Sequence, residues 1–151
     1  MTLMTLTGED TIIINVSPLT DLADGDVGTL SFPNDVMSMS TGKNKNTIFA
    51  KDESGCNAEL EIRVPRGSSD DKRLNGYFQS QQNNFTGFVL LTGAVVKRLG
   101  DGAGNITYDT YPLEAGMFVR AVPASSNVNG NTEQGVSIYT IRFAIATRAL
   151  A

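Results

Sequence analysis

The stretch NAELEIRVPRGSSDDKRLNGYFQSQQ, from Asn57 to Gln82, limits the possible folds more than any other part of the chain. Its first half alternates strictly. Ala58, Leu60, Ile62 and Val64 fall on one face of an extended segment, and Asn57, Glu59, Glu61 and Arg63 on the other, which is the pattern of a strand with one buried and one wet face. Pro65 has no N–H to give to a ladder and Gly67 reaches turn angles closed to other residues, so the strand ends there. Ser68 or Ser69 then caps a helix, with Asp70 and Asp71 in its first turn at the positive end of the helix dipole. Leu74, Tyr77, Phe78 and Gln81 follow at helical spacing as a narrow apolar stripe. One helix is therefore expected, over about residues 69–82, in a chain that otherwise reads as β. Such a helix packs on the open face of a sheet or plugs the end of a barrel.

The flanking segments supply the strands. Thr11–Val16 is a β-branched run ended by Ser17-Pro18. Leu19–Asp35 is rich in Asp, Gly and Pro and reads as turn, with a short strand at Val27–Phe32. Val36–Ser40 and Asn46–Lys51 are extended, and the tight turn Asp52–Gly55 predicts a hairpin between Asn46–Lys51 and Cys56–Val64. Phe85–Arg98 is apolar on both faces and predicts one long, doubly covered strand, followed by the Gly-rich turn Leu99–Asn105. Ile106–Tyr111 and Met117–Val122 read as two strands around Pro112–Gly116. Pro123–Gly135 is a long polar loop of the kind that serves function or is ordered by a partner. Val136–Arg148 closes the chain, with Tyr139, Ile141, Phe143 and Ile145 on an apolar face and Thr140, Arg142, Ala144, Ala146 and Arg148 on a small and polar one. With 151 residues and no internal repeat or linker, residues 1–151 form a single domain.

Several function classes are disfavoured. The chain holds no histidine and one cysteine, so the commonest general base, a His-activated thiol, an internal disulfide and a Cys-rich metal cage are all missing. Asp21, Asp24 and Asp26 resemble part of a calcium loop, but the later bidentate Glu is lacking and turn chemistry accounts for them. Glu59 and Glu61 lie about 7 Å apart along a strand, a glycosidase-like separation, yet a solvated strand face explains them more simply. No P-loop, nucleophile elbow or zinc spacing occurs, so an enzyme is not expected, and neither is a cofactor or bound metal. A net charge of −4 argues against sequence-independent nucleic-acid binding. No apolar run approaches the roughly 18 residues of a membrane helix, and no secretory signal is visible. A soluble protein made in the cytosol is expected, without a membrane anchor.

The hairpin leading into ELEIRVPRGSSDDKRLNGYFQSQ resembles the middle of the tail tube proteins of contractile-tailed bacteriophages, in which an amphipathic strand runs into a Ser/Asp-Asp start and a short helix with a Leu-Asn core. The pattern extends over roughly Asp35–Leu150, with its word-level likeness in Leu60–Phe78. The resemblance implies a β-sandwich or partial barrel with one flanking helix. It implies that strands join between subunits into a hexameric ring barrel, and that rings stack into a tube. Its partners would be other copies of itself and the tail sheath, baseplate and tape measure proteins. Genomic DNA would pass through the lumen without specific binding, and the protein would end in the virion tail after synthesis in the host cytoplasm. On this reading the lumen-lining candidates are Thr47, Lys51, Glu59, Glu61 and Arg63, with Thr140 and Arg142. Leu19–Asp35 and Ser125–Gly135 are candidates for ring-to-ring contacts that order on assembly. Two alternatives remain at this point: a monomeric β-sandwich module that binds carbohydrate or a cell surface, and another tail component such as a terminator or baseplate protein.

Overall fold

The structure, a computed structural model, describes residues 2–6, 10–23, 28–126 and 132–151. Within them the elements in chain order are β1 (Thr5–Leu6), β2 (Thr11–Ile14), β3 (Ser17–Pro18), β4 (Gly28–Ser31), β5 (Met37–Thr41), β6 (Thr47–Lys51), β7 (Ala58–Pro65), α1 (Ser69–Asn83), β8 (Leu91–Gly100), β9 (Ile106–Phe118), β10 (Val136–Ala146) and β11 (Ala149–Leu150). The protein is mainly β, with one α-helix among the described residues. Nine strands form an open antiparallel sheet in the order β3-β2-β8-β9-β10-β7-β4, with β1 added beside β8 and β11 beside β9. β5 and β6 form a separate two-stranded sheet.

The strand at the centre of the sequence pattern behaves as its alternation requires. Ala58, Leu60, Ile62 and Val64 of β7 are buried, and they meet Phe143, Ile141, Tyr139 and Ser137 of β10 across the ladder. Leu113, Gly116 and Phe118 of β9, Leu91 of β8 and Ile12 and Ile14 of β2 continue the same core. Gly116 is where Phe143 lies flat on the backbone, since a Cβ there would run into its ring. A Cβ on Gly28 would collide with Ile12, so the sheet curls until β4 and β2 face each other across the interior, while β3 and β4 remain unjoined edges. Leu74, Tyr77 and Phe78 of α1 close this curl from its open side. Phe118 holds the junction, edge-on to Phe78 at 5.7 Å and to Tyr139 at 5.9 Å between ring centroids.

Four sequence expectations are corrected. The hairpin between Asn46–Lys51 and Cys56–Val64 does not form. β6 pairs with β5, and β7 lies between β10 and β4 in the main sheet. In place of a hairpin loop at Asp52–Gly55, Glu53–Cys56 make a short 3-10 turn, capped by Asp52, whose carboxylate accepts from Ser54 N–H. The long strand expected at Phe85–Arg98 begins only at Leu91. Continued in register from Leu91 opposite Gly116, residue 89 would have met Phe118, but the Gln81 amide already donates to Phe118 C=O at 3.0 Å and accepts from its N–H at 2.8 Å.

Residues 106–118 form one strand, not two. Pro112 is tolerated in mid-strand because its ladder-facing side falls where β10 gives way to β11. Its carbonyl takes a long bond from Thr147 N at 3.4 Å, and no donor is needed there. A bulge at Glu114–Ala115, with Ala115 at φ 58°, and a matching change of parity in β10 bend both strands. Ile145 is thereby turned outward, 48% exposed, and Ala146 inward, which overturns the expected apolar face at that end.

Candidate functional site

Register brings most of the sequence-selected residues to one place. β10 sets Arg142 opposite Glu59, Thr140 opposite Glu61 and Ile138 opposite Arg63. β4 adds Ser31 opposite Glu59 and Thr29 opposite Glu61. Directly opposed residues share a face, so Glu59, Glu61, Arg63, Thr140 and Arg142 all lie on the face of the sheet turned away from the core. Arg142 Nη2 donates to Glu59 Oε2 at 2.8 Å, and Arg120 Nη1 stands 4.0 Å from Oε1. Both arginines are more than half exposed, so each pair contributes no more than about 1 kcal/mol. Thr140 sits in the row but is buried and offers no surface in the single chain. Arg120 follows the end of β9, and no pattern in the sequence marks it. With Arg120 included, this face carries Glu59 and Glu61 against Arg63, Arg120 and Arg142, so the acidic excess of the chain is not concentrated here.

Thr47 and Lys51 are not part of this row. They belong to β6, in the hairpin that projects as its own small sheet, and every residue of β5 and β6 is exposed. Met39 stands opposite Phe49, and Ser40 opposite Ile48, so each face of the ribbon carries a large apolar side chain. Ile48 and Phe49 are each 69% exposed. The tip turns through Asn44 and Lys45, both in the left-handed region, and closes with Gly42 N–H donating to Asn46 C=O at 2.8 Å. A two-stranded ribbon alone is marginal in water. This one is held at its base, where Asp52 N–H donates to Val36 C=O at 2.9 Å and Gly55 packs so closely that a Cβ would strike the Val36 backbone. Cys56 is part of the same base, its thiol directed at Ala144 C=O. The sequence signal for this hairpin is weak: Gly42-Lys-Asn-Lys-Asn46 offers turn residues and Thr47–Lys51 carries Thr, Ile and Phe, but Met37–Thr41 alternates Met and Ser with a single β-branched residue.

The start of α1 anchors the surrounding loops. Ser68 caps Asp71 N–H at 3.2 Å, and the Asp71 carboxylate accepts from Gly67 N–H at 2.8 Å. The Tyr139 hydroxyl and Ser137 Oγ also donate to Asp71. Burial, and then the adjoining Asp71 carboxylate, push the Tyr139 phenol well above its ordinary pKa. Asp70 is buried and accepts from Thr20 and Asp21 N–H, each at 2.6 Å. This ties down residues 19–23, part of the Leu19–Asp35 segment expected to order on assembly, within the single chain. Arg66 bonds Pro123 and Gln134 carbonyls at 2.6 and 2.7 Å, fixing both stems of the second such segment. Residues 24–27 and 127–131, with Asp24 and Asp26 of the calcium-like cluster, lie outside the described residues.

Among the described residues, no three His, Cys, Asp or Glu side chains come together as a metal site would need, and no helix is long and apolar enough to cross a membrane. No protein-family model and no curated protein matches the chain.

Proposed function

We propose that this chain is a structural subunit that self-assembles into stacked hexameric rings, forming the inner tube of a contractile phage tail and a conduit for the genome. One observation carries the reading: a hairpin with large apolar side chains on both faces, every strand residue exposed in the single chain yet the whole braced at its base. Such an element is costly to a monomer and useful to an assembly, because a braced projection loses little entropy when it docks. The rest of the molecule is compatible with that role. One sheet face is packed on α1 and the other bears Glu59, Glu61, Arg63 and Arg142, a wet face suited to lining a lumen. The sheet has open edges at β3 and β4, which joining between subunits would remove. Sheath, baseplate and tape measure proteins are the partners this role entails.

Negative-stain microscopy of the purified protein, with its mass measured in solution, tests the proposal. Hollow tubes or six-membered rings are the expected result. A strict monomer at high concentration, even with baseplate seeds present, would overturn it. Reversing Glu59 and Glu61 to Lys then tests the lumen assignment. Intact tubes with impaired DNA passage are expected, and loss of assembly would move that face to an interface.

A further inference from the structure

Gln81 of α1 stands where a strand residue belongs. Val119 N–H donates to Thr140 C=O at 3.0 Å, so the backbone groups of residue 119 face β10. Successive residues of a strand bond to opposite sides, and the N–H and C=O of Phe118 therefore face the β8 side. Leu91 pairs with Gly116, and the same register carried two residues further sets residue 89 opposite Phe118. There the Val89 backbone would exchange two bonds with Phe118, as a hydrogen-bonded antiparallel pair does. The Gln81 carboxamide makes both bonds instead, donating to Phe118 C=O at 3.0 Å and accepting from Phe118 N–H at 2.8 Å. A side-chain amide carries the donor and acceptor of a peptide group, and this one is buried at 4% exposure.

The segment kept out of the sheet retains the composition of a strand. Phe85-Thr-Gly-Phe-Val-Leu90 runs into β8 without a break, yet Phe85 is 63% and Val89 84% exposed. One turn sets its path. Asn84 caps the end of α1 with its N–H on Ser80 C=O, and its Oδ1 accepts from Gly87 N–H at 3.1 Å. Gly87 fits there because a Cβ would strike the Asn84 side chain. Set in register, Val89 would share a face with Leu91 and Phe118, both buried. It would enter the space that the Gln81 stem fills.

We infer that Gln81 is a latch between two arrangements of residues 84–90. In the latched arrangement α1 holds the end of β9 and Val89 stays in solvent. In the released one the carboxamide swings into water, Val89 pairs with Phe118, and β8 starts at residue 89 or earlier. Two side-chain hydrogen bonds are exchanged for two backbone ones, and an exposed valine for an exposed amide. Hydrogen bonds are conserved and apolar burial rises, offset by looser packing of α1 on Phe118. No single term dominates the exchange, which is the condition for a two-state element. Every group involved belongs to one chain, so the device needs no partner and stands apart from the assembly proposed above.

Two variants, Gln81→Ala and Gln81→Leu, separate a latch from a packing contact. Both remove the carboxamide. The leucine side chain still fills the space that Val89 would enter, whereas alanine vacates it. Amide hydrogen exchange at Val89 is expected to be at least tenfold slower in Gln81→Ala than in Gln81→Leu, which should match the parent chain. Gln81→Ala should also unfold at the higher urea concentration of the two, although it removes more atoms. Equal exchange at Val89 in the two variants would overturn the latch. If Gln81→Ala does not fold, adding Gly87→Val decides the matter. Valine favours a strand, and its Cβ would strike the Asn84 side chain that holds the segment aside. Far-ultraviolet circular dichroism is then expected to show folding restored, with the Val89 amide protected. A double variant that stays unfolded, or folds with Val89 unprotected, would overturn the inference.

Discussion

The two regions that β7 joins together, one packed and one open, could hardly differ more. On its far side, the β7–β10 pair with α1 is a region where three buried or half-buried polar side chains have internal partners: Asp70 on two backbone amides, Asp71 on Gly67, Ser137 and Tyr139, Gln81 on both groups of Phe118. On its near side, β5 and β6 pair only with each other in a sheet of their own, with Met39, Ile48 and Phe49 open to solvent. The first region shows what stabilises the single chain. The second has only the inner edge of each strand paired and its side chains unburied, which is the state expected of a surface whose packing is completed by another molecule.

The sharpest way to break this contrast is to damage the first region and ask whether stability alone responds. Phe143 is fully buried against Gly116, so Phe143→Ala should cost about 3–5 kcal/mol in urea denaturation of the unassembled chain. Next comes Gln81→Leu. It leaves the Phe118 N–H and C=O buried without partners, at about 2–4 kcal/mol by the same measurement. A much smaller loss would mean that residue 89 had moved back into the ladder.

A smaller effect is expected from pH. The folded-state pKa of Tyr139 is raised, so its contribution is fully present below the unfolded phenol value of about 10 and is lost as pH rises above it. Melting temperature should therefore fall at alkaline pH, and Tyr139→Phe should flatten that dependence. Smallest of all, Phe49→Ser should change the stability of the unassembled chain by no more than about 0.5 kcal/mol. If it costs several times that, the hairpin belongs to the core and the contrast fails.

Much of the fold was legible because local rules and tertiary packing agreed. The alternation in Asn57–Val64 and the Ser68 cap with Asp70 and Asp71 describe β7 and α1 nearly to the residue. The row Glu59, Glu61, Arg63 was visible for the same reason, since a strand's period places those side chains together whatever the strand pairs with. The hairpin was misread because pairing depends on which of two adjacent turns closes, and both candidate turns carry suitable residues. Thr47 and Lys51 were assigned to the polar row on that mistaken pairing.

By itself, then, the sequence determined periodicity, caps and turns, all of which depend on a few neighbouring residues. It also settled that no histidine is available for chemistry anywhere in the chain. Only the tertiary structure decided what is non-local. It paired β7 with β10 and not with β6, gave Phe118 to Gln81 rather than to Val89, and turned Ile145 outward through a bulge shared by two strands. The physical reason is competition for the same backbone groups and the same core volume. A segment's own residues state what it can bond and bury, but which partner it obtains depends on every other segment that could take that place.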